Sequence, residues 1–138
     1  MGARSGRSFV TIMIVIAVSA LLVKTTVEQI IRFSISQNEA DALATLKLVS
    51  AALENYAKDH LGAYPSSLQP LTETSPAYLD RDYVKESPVK GYIYTCARME
   101  SGSYSCSAVP EKCKLTGEKI YTVSTGGALL SEECVKKD

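Results

Sequence analysis

Between Phe9 and Leu61 the chain has neither glycine nor proline, although it carries eight glycines and five prolines elsewhere. Without breakers, the local pattern decides what this stretch becomes, and the pattern is helical. It opens with Phe9–Val23 (FVTIMIVIAVSALLV), where only Thr11 and Ser19 are polar. Apolar residues then recur at Val27, Ile31 and Ile35, and again at Ala42, Leu46, Val49, Leu53 and Tyr56. Steps of three and four residues mark one face of a helix. Ala40, Ala42, Ala44, Ala51, Ala52 and Ala57 add helix propensity. Ser34–Asn38 (SISQN) is a weak patch, because serine and asparagine side chains compete for the backbone, and a local loosening is expected there. Gly62 is placed to take the left-handed C′ position and stop the helix. The predicted helix has about 52 residues and a length of roughly 78 Å at 1.5 Å per residue. The roughly 75 residues that follow it are too few to cover such a length. Its N-terminal half must therefore bury its apolar surface in lipid or against other copies.

Fifteen helical residues rise about 22 Å, short of the ~30 Å hydrocarbon core of a bilayer. That length suits the apolar region of a removable secretory signal, and Val18-Ser19-Ala20 would serve as a small-residue cleavage site. Two features favour retention. Leu21, Leu22 and Val23 prolong the apolar run past that site. The helical rhythm then continues toward Ile31, with Lys24 able to snorkel. Arg4 and Arg7, with no acidic residue before Glu28, hold the N-terminus on the cytoplasmic side and send the remainder across. The expected organisation is a basic leader over 1–8, a transmembrane and assembly half over 9–31, and a periplasmic or extracellular domain over 32–138.

The four cysteines, Cys96, Cys106, Cys113 and Cys134, all lie in the last third of the chain. None of their spacings gives a short zinc clip or a C-x-x-C redox pair, so two disulfides in an oxidising compartment are expected. Gly91–Cys96 and Ser103–Ala108 flank Glu100-Ser101-Gly102 and read as a hairpin. A turn centred on Ser101 puts Cys96 opposite Cys106. Lys119–Ser124 reads as a third strand, turned by Gly126-Gly127 toward Ala128-Leu129-Leu130. Four cysteines allow three pairings. The preferred one is Cys96–Cys106 with Cys113–Cys134, which staples the tail to the sheet. Tyr64–Leu71 reads as a turn with one helical turn in it, and the segment through Pro76 and Pro88 as an irregular connector. The fold class is α+β, a long N-terminal helix against a small antiparallel sheet.

Basic and acidic residues balance at 15 each, so no overall field points to nucleic acid. Lys112, Lys114, Lys119, Lys136 and Lys137 form at most a weak cationic patch. His60, the single histidine, sits at the expected helix exit, where solvent contact is its expected role. Asp80, Asp82 and Glu86 lack calcium-loop spacing and read as a solvated connector. Tyr92, Tyr94, Tyr104 and Tyr121 are strand residues expected to pack a half-buried sheet rather than form an adhesive surface. No phosphate loop, catalytic triad, metal set or cofactor fingerprint occurs, and neither a catalytic residue nor a cofactor is expected.

With these features in place, the chain resembles the type IV pilins and type II secretion pseudopilins over nearly its whole length. A basic leader precedes Phe9, and ATLKLVSAALENYAKDHLGAYPSSLQPL (Ala44–Leu71) is similar to the family's amphipathic helix with its Tyr-Pro exit. GYIYTC…YSCSAVP…LTGEKIYTVSTGGAL is similar to the β-region. The resemblance implies cutting by a prepilin peptidase between Ser8 and Phe9, N-methylation of Phe9, and helix-driven assembly with other pilin subunits. It also implies passage through the inner membrane and an assembly platform to a periplasmic or cell-surface filament. The family usually has glycine before the cut, where this chain has Ser8; cutting after Gly6 would leave Arg7 first. The fifth mature residue is usually glutamate, where this chain has Met13. That absence points to a minor or tip subunit, or to an atypical pilin held by packing alone. The alternative is an exported binding module on an uncleaved signal anchor.

Overall fold

The structure is a computed structural model that describes the backbone of residues 2–136 and the side chains from Ser8 onward. The side chains of Arg4 and Arg7 in the expected leader, and Lys137 at the other end, lie outside the described residues. The chain divides into two compact units, Met1–Ser34 and Ile35–Asp138. Helix α1, Gly2–Asp59, contributes to both.

In the first unit α1 stands by itself, and no residue from Ser8 to Ile30 is buried. Thr25 and Thr26 turn inward on their own helix. Thr25 Oγ1 donates to the carbonyls of Leu22 (3.0 Å) and Leu21 (3.2 Å), and Thr26 Oγ1 to Leu22 (2.7 Å). Such bonds leave few polar groups seeking water along this segment.

The second unit is α+β. One face of α1, carrying Ala42, Leu46, Val49 and Leu53, shares a core with a four-stranded antiparallel sheet. The strands are β1 (Tyr92–Glu100), β2 (Ser103–Pro110), β3 (Lys119–Ser124) and β4 (Ala128–Glu133), in that order across the sheet. A one-turn helix α2, Gln69–Glu73, buries Leu71 against the same core. The apolar positions expected from helical periodicity are the buried ones from Ile35 onward, while Tyr56 is half-buried.

The core is built largely from tyrosine. Tyr83, Tyr92, Tyr94, Tyr104 and Tyr121 are buried, and Tyr56, Tyr64 and Tyr78 pack against them. All eight tyrosines of the chain are thereby used. The chain has no tryptophan and two phenylalanines, Phe9 and Phe33, both exposed on α1. The four strand tyrosines alternate with less buried neighbours and lie on the sheet face that α1 covers, as a half-buried sheet requires.

Two expectations about the helix are corrected. Ser34–Asn38 stays helical. The asparagine that could have disrupted it sends its amide elsewhere, Asn38 Nδ2 donating to the Thr116 carbonyl at 2.9 Å. The helix exit is also displaced by one residue. Gly62 N–H donates to Ala57 O at 2.7 Å, a six-to-one bond that puts Leu61 (φ 58°), not Gly62 (φ 85°), at C′. The cause is local. His60 stacks on Tyr56 at 3.8 Å, and its Nδ1 lies 2.8 Å from the Tyr56 carbonyl, the acceptor that the next helical bond would use. The His60 N–H bonds to Ala57 O instead.

Both disulfides are formed, Cys96–Cys106 and Cys113–Cys134, with no free cysteine among the described residues. Cys96 does lie opposite Cys106, but not through a turn centred on Ser101. Glu100 pairs with Ser103 across a two-residue loop, and a bulge at Ala97 restores the cysteine register.

Candidate functional site

The feature with most surface to offer is the N-terminal half of α1. Phe9, Val10, Ile12, Met13, Ile14, Val15, Ile16, Val18, Leu21, Leu22 and Val23 are exposed on every side of the helix. An 18-residue window of this helix reaches a mean hydropathy of 2.3 with none of it buried, so by length and composition it can cross a membrane. Val27, Ile30 and Phe33 continue the exposed apolar surface. Single exposed apolar residues are ordinary; a continuous helical surface of them requires lipid or protein contact. Ser8 and Phe9, the expected cut, lie on this helix and are exposed. Met13 sits one turn further on, 56% exposed.

A second constellation holds α1 to the sheet, and sequence patterning missed it. The Glu54 carboxylate accepts from the hydroxyls of Tyr104 (3.0 Å) and Tyr64 (3.1 Å) and from the Gly126 N–H (2.9 Å). Ser50 Oγ lies 3.0 Å from the Tyr104 hydroxyl. One helix residue thus binds the helix exit, β2 and the β3–β4 turn. Burial pushes the Tyr104 hydroxyl up to about 12, with Glu54 adding to the rise and Ser50 opposing it. Burial also pushes Tyr92 well above the usual tyrosine range, and the Glu39 charge adds to it. Glu39 has a positional role as well, accepting the Glu118 N–H at 2.9 Å. The signal for Glu54 was faint: an acidic residue beside the buried face of a helix whose partners lie 10, 50 and 72 residues away.

The remaining candidates are dispersed. His60 is at the helix exit, bonded locally as described. Asp80 lies 3.5 Å from Arg81 and accepts the Tyr83 hydroxyl, and Glu86 lies 3.8 Å from Arg81. Asp82 caps the backbone of Val84 and Lys85. These acids are occupied with their own connector, and no group of three or more metal-ligating side chains occurs among the described residues. Lys112, Lys114, Lys119 and Lys136 are exposed, the first two in the loop between β2 and β3, the third opening β3 and the last beyond β4.

No known protein-family profile matches the chain, and no characterised protein matches its sequence. Among solved structures, the crystal structure of the non-core minor pilin PilV of Neisseria meningitidis is similar over 78% of this chain and 94% of that one, at 16% identity and a TM-score of 0.44. At that identity and score, the functional reading rests on this chain's own residues.

Proposed function

We propose that the chain is a pilin-like structural subunit, assembled into a type IV pilus or type II secretion-like filament through the apolar half of α1. The observation that carries this is the exposed apolar helical surface from Phe9 to Phe33, continuous in one helix with the face that Leu46, Val49 and Leu53 bury against the sheet. Before assembly that surface lies in the inner membrane; after extraction it is covered by the helices of other subunits. Arg4 and Arg7 orient the span, a prepilin peptidase cuts between Ser8 and Phe9, and Phe9 is methylated. The disulfides belong to the exported, oxidising side. With Met13 where a paired carboxylate would normally stand, the subunit is a minor or tip component held by packing.

A second reading, an exported binding module on a permanent anchor, draws on Ser8 at the position before the cut. Mass spectrometry of the membrane form separates the two. The filament subunit starts at N-methylated Phe9, and cysteines introduced along residues 9–35 crosslink between copies. A chain starting at Met1 beside an active peptidase, or at Leu21, would count decisively against it.

A further inference from the structure

The bulge in β1 has a second consequence besides the disulfide register. Unbroken alternation from Tyr92, Tyr94 and Cys96 would put residue 98 on the core side of the sheet. The bulge at Ala97 shifts the register, so that Arg98 pairs with Ser105 and Met99 with the buried Tyr104. Arg98 therefore stands on the outer face. Bulges commonly re-aim a side chain in this way near binding sites.

On that face Arg98 lines a shallow cleft with Ser103, Ser105, Ser124 and Thr125. Ser105 pairs across with Ser124, so the four hydroxyls come from β2, from β3 and from the turn that follows β3. Thr125 is fixed, its Oγ1 accepting the Tyr104 N–H at 2.9 Å and donating to the Tyr104 carbonyl at 3.3 Å. Arg98 makes no ion pair among the described residues. The next row repeats the chemistry: Thr95, Ser107 and Thr122 are in register, with Thr95 Oγ1 and Ser107 Oγ 3.0 Å apart.

The geometry points to a binding site for a carboxylate-bearing saccharide. A guanidinium presents a planar fork that matches a carboxylate. Hydroxyls that both donate and accept match the hydroxyls of a sugar ring. No acidic side chain lines the cleft. The lining carries one charge, that of Arg98, and Glu100, two residues along on the same face and outside ion-pair distance, partly offsets it, so the site suits a monoanion over a dianion.

The test uses the full chain in a detergent without a sugar headgroup, titrated with oligogalacturonate, neutral oligogalactose, inorganic phosphate and a glutamate-rich peptide. Oligogalacturonate should bind at least tenfold more tightly than the other three. Arg98→Gln should weaken it at least tenfold and Arg98→Lys by a smaller factor, with unchanged thermal unfolding. Ser105→Ala provides a second, milder variant, expected to weaken binding severalfold. Absence of oligogalacturonate binding, binding indifferent to Arg98, or equal binding of any of the other three probes would overturn the assignment.

Discussion

The Tyr92 ring occupies the space that a methyl group on Gly117 would need. A Cβ built at Gly117 would overlap the Tyr92 hydroxyl and ring edge, and Tyr92 is fully buried with its hydroxyl donating to the Lys119 carbonyl at 2.8 Å. Gly117 is itself pinned, since its carbonyl accepts the Lys114 N–H at 2.8 Å. Neither side can yield without breaking a hydrogen bond. Gly117→Ala should therefore destabilise the second unit by about 1–3 kcal/mol, the usual range for overpacking. Chemical denaturation followed by tyrosine fluorescence measures it. A midpoint equal to that of the unaltered chain would show that the loop from Cys113 to Glu118 can move aside.

Glu54 should matter more than its half-buried position implies. Glu54→Ala removes the charged acceptor for Tyr104, Tyr64 and the Gly126 N–H together; Tyr104 keeps Ser50 and the exposed Gly126 N–H can turn to water, so the cost should be about 1.5–3 kcal/mol, that of one hydrogen bond to a charged group. Glu54→Gln keeps a carbonyl acceptor and should cost less. The double variant with Tyr104→Phe should be closer in stability to Glu54→Ala than additivity predicts, because the two changes remove one shared bond. Strictly additive losses would show that the contact contributes nothing.

The elements most legible in the sequence were those set by local rules. Helical spacing marked Leu46, Val49 and Leu53 as core, and glycines marked the turn before β4. What local rules could not supply were contacts across long separations. Asn38 looks like a helix weakener until its amide is seen to bond Thr116, and Glu54 looks like a surface acid until three distant donors converge on it. The hairpin is the instructive case. A three-residue turn and a two-residue turn with a bulge place Cys96 opposite Cys106 alike, so the cysteines could not distinguish them. The difference decides which face receives Arg98, and the candidate cleft was invisible for that reason.

Alkaline pH should unfold the second unit cooperatively. Tyr92, Tyr94, Tyr104 and Tyr121 are all raised above the ordinary tyrosine value, each chiefly by burial. A folded-state pKa above the unfolded one means that the native state holds its proton longer. The associated stability is complete below about pH 10 and is lost as pH climbs toward the folded values, about 12 for Tyr104. Tyrosinate absorbance should therefore rise in step with loss of sheet circular dichroism. Smooth ionisation of all eight tyrosines with the sheet intact would contradict this burial pattern.

Leu61 is a leucine in a left-handed conformation, φ 58°, with its side chain fully exposed. It makes no core contact to offset the strain of that conformation, which for a non-glycine residue is about 1–2 kcal/mol. Glycine relieves the strain but adds freedom to the unfolded chain, roughly 0.5–1 kcal/mol in the opposite direction. Leu61→Gly should be net stabilising by about 0.5–1 kcal/mol, and Leu61→Asn by a smaller amount. Leu61→Val should destabilise, since β-branching worsens the same clash. Thermal unfolding of the three variants gives the order, and a loss of stability on Leu61→Gly would show that the residue contributes packing after all.

Met13 offers the sharpest test of how the subunit is held in a filament. A carboxylate in a membrane helix costs up to about 2.5–3.5 kcal/mol on insertion scales at the centre, and less near the end where Met13 stands, unless it finds a cation. In the proposed filament, the cation is the amine that cutting after Ser8 creates on Phe9 of a neighbouring copy, and a glutamate one turn along can reach it. Met13→Glu should accordingly raise the fraction of the chain recovered in sheared filaments relative to the membrane pool. Met13→Gln, polar but uncharged, should not. If Glu and Gln behave alike, the subunit is not limited by that missing charge, and helix packing through Ile12, Ile16 and Val23 carries incorporation by itself.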